Sequence, residues 1–401
     1  VPTKYMGYDH AVERVENARG PARNFLGADF LVSANEFMTD VMYKQAYKLD
    51  GLFNGKILEV GHPRSDLLIN ADTNKVFKKL NNLGIKTDKK IILYAPTWKG
   101  NLYNQLEYDV NEFKETVKKF SENINQDEYR IYLRVHYFLY KFLAQDPELK
   151  DILIPFTIDT NELLSVVDVL ISDYSSIFFD FLVTGRPIVF YVPDLKEYES
   201  GRGLYVPVST LPGIVSSSLE EIATSLGAIC ENREEYCEFY RPQWEDMVNW
   251  CIYNDDGMST KRLINIIFKD YTYLPSKSQD IINGFGNKKK KVLLCVNSKQ
   301  KNEEFWNNFT AELSRFNYNT TDVTVLVTSF KDEKSKEYFN HLPKDVRVLV
   351  WYALPFVAKG TKTFYDREAL RAFGNAHFDE IKVVGDVTEY WADFANNLIQ
   401  P

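Results

Sequence analysis

The stretch Val166-Val167-Asp168-Val169-Leu170-Ile171-Ser172-Asp173-Tyr174-Ser175-Ser176-Ile177-Phe178-Phe179-Asp180 decides the fold. It reads as a buried strand, Val166–Ile171, then a short polar loop, then an apolar helix over Ser176–Thr184. A buried strand that runs straight into a helix is the building unit of an α/β sheet. Free N–H groups at such a helix start, together with the positive end of its dipole, face out of the junction and suit a phosphate. Ser175 and Ser176 add two hydroxyl donors. Asp180, one turn further on the same face, is placed to accept from sugar or glycerol hydroxyls. A serine that merely caps the helix is the simpler reading of this pair taken alone.

Outward from this stretch, strand-length apolar runs recur at Lys56–Val60, Lys90–Ala95, Arg130–Val135, Asp151–Pro155 and Pro187–Val192. Helical spacing separates them at Val110–Phe120, Tyr137–Ala144, Asn161–Val166 and Leu219–Leu226, which predicts a largely parallel sheet. Ligands of such sheets gather beyond the carboxyl ends of the strands. The exits carry Gly61-His62-Pro63-Arg64-Ser65-Asp66, then Pro96-Thr97-Trp98-Lys99-Gly100, then His136, with Arg134 two residues before it. Guanidinium groups bind pyrophosphate oxygens in bidentate fashion. A neutral imidazole at His136 exchanges protons near pH 7. His10, His341 and His377 read as surface or structural residues, and His62, before Pro63, as either.

Composition narrows the function. Lys+Arg of 48 against Asp+Glu of 56 gives a net charge of −8, which argues against a nucleic-acid partner. No apolar run approaches the ~18–20 residues of a membrane span. Cys230, Cys237, Cys251 and Cys295 form neither a disulfide framework nor a C-x-x-C pair, and are read as free thiols in a reducing compartment. Walker, dinucleotide-binding and nucleophile-elbow motifs are absent, as is a D-x-D pair for a metal-bound nucleotide sugar. A metal-independent site of arginines, hydroxyls and helix dipoles is what remains, with no tightly bound cofactor. Pro275–Lys291 has linker composition. Val292–Val296, Val323–Thr328 and Val346–Val350 then open a second α/β unit. Val1 in place of an initiator methionine predicts a piece of a longer protein.

Together Tyr94-Ala95-Pro96-Thr97-Trp98, Arg134-Val135-His136, Ser172-Asp173-Tyr174-Ser175-Ser176 and Gly201-Arg202-Gly203-Leu204-Tyr205 resemble the CDP-glycerol (poly)glycerophosphate transferases of teichoic acid synthesis. Val1-Pro2-Thr3-Lys4-Tyr5-Met6-Gly7-Tyr8 resembles the tail of that family's tryptophan–histidine–glycine–threonine–proline motif. The resemblance covers roughly residues 1 to 270 and implies a GT-B-like pair of Rossmann-type domains. Residues 1–45 would end the acceptor-side domain, 46–272 would form the CDP-alditol-binding domain, and 273–290 the linker. Residues 291–401 would be a partial α/β unit; Asp366–Trp391 weakly resembles a glycosyltransferase module.

The resemblance implies CDP-glycerol as donor and a lipid-linked poly(glycerol phosphate) as acceptor. It also implies peripheral contact with the cytoplasmic face of the membrane. Val1 and Pro2 would touch the glycerol phosphate end of the donor. Arg64, Pro96, Thr97, Arg134, Val135 and His136 would contact CDP-glycerol, Ser175 and Ser176 would hold the diphosphate, and Asp180 would complete the site. His136 matches the second of two family histidines held to be catalytic. The first would stand two residues before Val1, so this chain is expected to bind CDP but transfer little. Two alternatives are a GT-B glycosyltransferase using a UDP- or GDP-sugar, and an inactive cell-wall scaffold.

Overall fold

A computed structural model describes residues 1–97, 110–269, 281–283, 288–296, 303–327, 333–350 and 372–384. The described chain forms two compact units that interleave in sequence. One contains Val1–Tyr5, Val32–Thr39 and Leu58–Ile281; the other contains Met6–Leu31, Asp40–Ile57 and the chain from Ile282 onward. Trp98–Gly100, most of the expected linker, Thr328, and Asp366–Glu368 with Trp391 lie outside the described residues.

The first unit is built on a five-stranded sheet. Its strands are β1 (Lys90–Tyr94), β2 (Tyr129–Leu133), β3 (Val169–Ser172), β4 (Ile188–Tyr191) and β5 (Val215–Ser216). Their order is β2-β1-β3-β4-β5, and every pair is parallel. These strands are largely apolar, with Lys90, Arg130, Ser172 and Ser216 the exceptions, as suits a sheet covered by helices on both faces. On one face Leu93, Leu170, Ile188 and Phe190 pack with Phe178, Phe179 and Phe181; on the other Ile92, Ile131, Val169 and Val189 pack with Phe120, Ile222 and Leu226. Among the described residues no helix is long and apolar enough to cross a membrane.

Three expected strands differ. Asp151–Pro155 forms only an isolated bridge, Leu133 to Leu153. Leu133 N–H donates to Ile152 O at 2.8 Å and Ile154 N–H to Leu133 O at 2.9 Å. Proline then supplies no donor, and the ladder stops. Lys56–Glu59 is a strand, but it stands outside this sheet. The run expected at Val166–Ile171 begins later, at Val169, because Val166 N–H still bonds Leu163 O at the end of the preceding helix.

The second unit holds a four-stranded parallel sheet, ordered β8-β7-β6-β9, from β6 (Lys290–Val296), β7 (Thr321–Val327), β8 (Arg347–Val350) and β9 (Glu380–Val384). The last strand was not foreseen from the sequence. Amino-terminal residues complete this unit. Leu52 is buried with Leu293, Cys295, Leu326 and Leu349. Arg347 donates to Lys48 O at 2.6 Å and Asp50 O at 2.9 Å, and pairs with Asp322 at 3.1 Å. Tyr8 donates its hydroxyl to Val348 O, and Arg14 Nη1 donates to Leu342 O at 2.9 Å. Leu52→Ala is expected to cost about 2–5 kcal/mol and to speed amide exchange in β6, β7 and β8. Unchanged exchange there would separate Leu52 from this core.

Candidate functional site

In a sheet of order β2-β1-β3-β4-β5, the chain leaves β1 toward one side and returns to the other, so the switch point lies between β1 and β3. The register places the exits level. Tyr94 pairs with Leu133 on one side and Ile171 on the other, so Thr97, His136 and Tyr174 each follow their paired residue by the same three positions. Asp173 sits at the switch point, buried, and ties its two sides together. It accepts Thr97 N–H at 2.6 Å, the Thr97 hydroxyl, and Ser175 N–H at 3.0 Å. Burial pushes its carboxyl up to about 6, against the pull of those three donors. A shallow cleft beside it is lined by Pro96, Thr97, Phe113, Asp173 and Tyr191.

The helix after this loop runs Ile177–Phe181, with exposed Ser176 at its N-cap. Ser176 makes no side-chain cap bond, whereas Ser175 Oγ accepts Ile177 N–H at a long 3.5 Å. Capping therefore does not account for Ser176. Tyr174 stacks on Tyr198 at 3.8 Å between centroids, and its hydroxyl donates to Asp194 at 3.2 Å. Thr3 Oγ1 donates to Tyr174 O at 2.7 Å, so the segment from Val1 to Tyr5 lies against this loop.

Arg64 and Asp180, expected as separate ligand contacts, meet each other. Arg64 Nε reaches both Asp180 oxygens at 3.1 and 3.0 Å, and Nη2 reaches Oδ1 at 2.9 Å. Asp180 is buried and Arg64 half-exposed. The loop before Arg64 is anchored from beneath: His62 N–H and Nδ1 lie 2.7 and 3.1 Å from the two Asp255 oxygens, and Ser65 Oγ donates to Asp255 at 3.1 Å. The main-chain nitrogen of Val1 lies 3.4 Å from His62 Nε2, with the Val1 side chain buried and Pro2 partly buried. Gly61, at φ +84°, makes this fit possible, since a Cβ there would lie 2.5 Å from Ser259 Oγ and 2.6 Å from Asn254 O.

Arg134 and His136 lie in different surroundings, although Arg134 N–H still bonds Tyr94 O at 2.9 Å and so continues the ladder of β2 with β1. Buried Arg134 turns away from the switch point and donates to Pro155 O at 2.6 Å, Ile158 O at 3.2 Å and Thr160 Oγ1 at 3.2 Å. Val135 is buried, while His136 is exposed and precedes the helix Tyr137–Leu143. Asp173 and Asp255 were not singled out from the sequence. Asp173 stood within the quoted loop, where an acid directly after a buried strand was an available signal; Asp255 had none. Among the described residues, no group of three or more His, Cys, Asp or Glu is placed to hold a metal ion.

Because the folded chain keeps the Asp173 proton to higher pH than the unfolded chain, stability from this group is full below its ordinary value of 3.8 and is lost as pH rises through about 6. Asp173→Asn is expected to flatten the dependence of the urea midpoint on pH between about 4 and 6. Equal slopes for the variant and the parent would contradict this assignment.

Residues 1–269 match the family model described as CDP-Glycerol:Poly(glycerophosphate) glycerophosphotransferase. The chain is 30% identical over 280 residues to the teichoic acid poly(glycerol phosphate) polymerase of Bacillus subtilis, covering 63% of this chain and 34% of that protein. It is 32% identical over 253 residues to the teichoic acid glycerol-phosphate transferase of Staphylococcus aureus, covering 60% of each. Of solved structures, a histidine variant of the wall teichoic acid polymerase TagF, soaked with CDPG, matches with TM-score 0.54 and 28% identity, over 67% of this chain and 65% of that one. The chain thus spans between 34% and 60% of the length of these two curated relatives. The ordered motifs, the α/β fold with parallel sheets and these matches agree: the chain belongs to the CDP-glycerol:poly(glycerophosphate) glycerophosphotransferase family.

Proposed function

We propose that this chain binds CDP-glycerol at the carboxyl edge of the five-stranded sheet. The protein would transfer its glycerol phosphate to a hydroxyl of a poly(glycerol phosphate) or lipid-linked acceptor and release CMP. The convergence at the switch point carries this reading. Asp173 fixes the Thr97 and Ser175 loops against each other, which presents the main chain and hydroxyls of Ser175 and Ser176 at a helix start. Arg64 stands beside that helix, held by Asp180. The relatives named as poly(glycerol phosphate) polymerase and glycerol-phosphate transferase support the same chemistry.

An alcohol attacking phosphorus must lose a proton, be held in line and meet donors aimed at the charge that develops. Ser175, Ser176 and the helix start supply donors for the CMP leaving group. Asp180 occupies Nε and Nη2 of Arg64, so the fork is fixed in plane and its Nη1 edge is directed to a phosphate oxygen. Exposed His136 emerges level with Thr97 on the neighbouring strand and moves the proton, as base toward the acceptor or as donor to phosphate. Val1, Pro2, Pro96 and Thr97 shape the pocket. A lipid-linked acceptor places the protein at the cytoplasmic face of the membrane by peripheral contact.

Thermal-shift titration of this chain with CDP, UDP and GDP is expected to show stabilisation by CDP above the other two; a preference for UDP or GDP would replace this reading with a sugar-nucleotide donor. In turnover by a longer form that carries both family histidines, read as CMP released from CDP-glycerol with a glycerol phosphate primer, His136→Ala is expected to lose about 100-fold or more. CDP affinity should stay within a factor of about 3, as expected for a proton-transfer residue. An unchanged rate would remove His136 from the mechanism.

A further inference from the structure

Arg134 spends its guanidinium on one loop. Besides Pro155 O, Ile158 O and Thr160 Oγ1, its Nη1 lies 3.5 Å from Ile154 O. The carbonyls it holds flank two residues that face solvent, Phe156 and Thr157, while Ile154 and Ile158 on either side are buried. The Phe156 ring is nonetheless fixed. The Arg134 guanidinium carbon sits 4.5 Å from its centroid, and Tyr137 and Tyr140 meet it edge-on at 5.7 and 5.3 Å. Phe156 is 37% exposed, and Tyr137, the residue after His136, is 48% exposed. The parallel bridge from Leu133 to Leu153 carries this loop off the sheet at the same edge, so Phe156 follows Leu153 as His136 follows Leu133. A rigid, partly exposed ring at the carboxyl edge of the same sheet, beyond β2, suits a flat aromatic group at the far end of a ligand held at that edge, for which stacking needs no matching hydrogen bonds.

We propose that Phe156 is the platform on which the nucleobase of the donor stacks, with Arg134 the positioning residue that builds it and not a phosphate ligand. This rests on the donor-site reading above. Isothermal titration of the 401-residue chain with CDP, UDP, CMP and inorganic pyrophosphate tests it. Phe156→Leu should weaken all three nucleotides by a common factor of roughly 10–100 and leave pyrophosphate unchanged, while Phe156→Trp should restore nucleotide binding. Arg134→Lys, which cannot fork across the carbonyls, should show the same pattern as Phe156→Leu. CDP binding by Phe156→Leu as tight as by the parent would overturn the platform and leave the donor-site reading standing, as would equal weakening of CDP and pyrophosphate. If the Arg134 variant fails to fold, the Phe156 pair decides alone. A parent chain that binds neither nucleotide nor pyrophosphate would overturn both readings.

Discussion

A buried carboxylate taken by three donors from two different loops is the constraint on which the site depends. Asp173 joins the exit of β1 to the exit of β3 across the one crevice where the strand order reverses. Burial raises the cost of its charge, and the Thr97 and Ser175 donors offset that cost only while both loops hold their places. The loop shape and the charge state are therefore one property. A donor anion bound at Ser175 and Ser176 as proposed would meet a main chain already arranged, so little ordering would remain to be done on binding.

Two arginines show how the same residue type does different work according to what surrounds it. Arg64 faces an acid on a helix and stays half in solvent, which suits the ligand role proposed for it. Arg134 is buried among carbonyls and under an aromatic ring, so its charge is dispersed into the loop from Ile154 to Thr160. Both were legible in the sequence as cations at strand exits. Their directions were not, because direction depends on partners distant in the sequence. Arg134 N–H still bonds Tyr94 O, and the carbonyls of Pro155 and Ile158 hold its side chain in their own loop.

The six apolar strand runs ahead of the linker and the helix spacing made the α/β sheet legible, since buried parallel strands are written largely as Val, Ile and Leu. The candidate loops after Tyr94, Leu133 and Ser172 were legible for the same reason: they follow those runs. What the sequence hid were partnerships between distant residues. Asp255 beneath His62 and the bond from Thr3 to Tyr174 join segments far apart in the chain, and no local pattern encodes them. The run Asp151–Pro155 looked like a strand by hydrophobicity, but proline and Arg134 divert its ladder. Leu52 likewise carried no mark of the sheet it helps to cover.

That last feature bears on the order in which the protein comes off the ribosome. Tyr8, Arg14, Lys48 and Leu52 find their partners in the chain beyond Lys290. The five-stranded sheet has all its strands by Ser216 and can close while those amino-terminal segments still wait. Contacts of such separation are slow to form, and apolar surface left open in the meantime invites aggregation or capture by chaperones. The unit that holds Met6–Leu31 and Asp40–Ile57 is thus the one finished last.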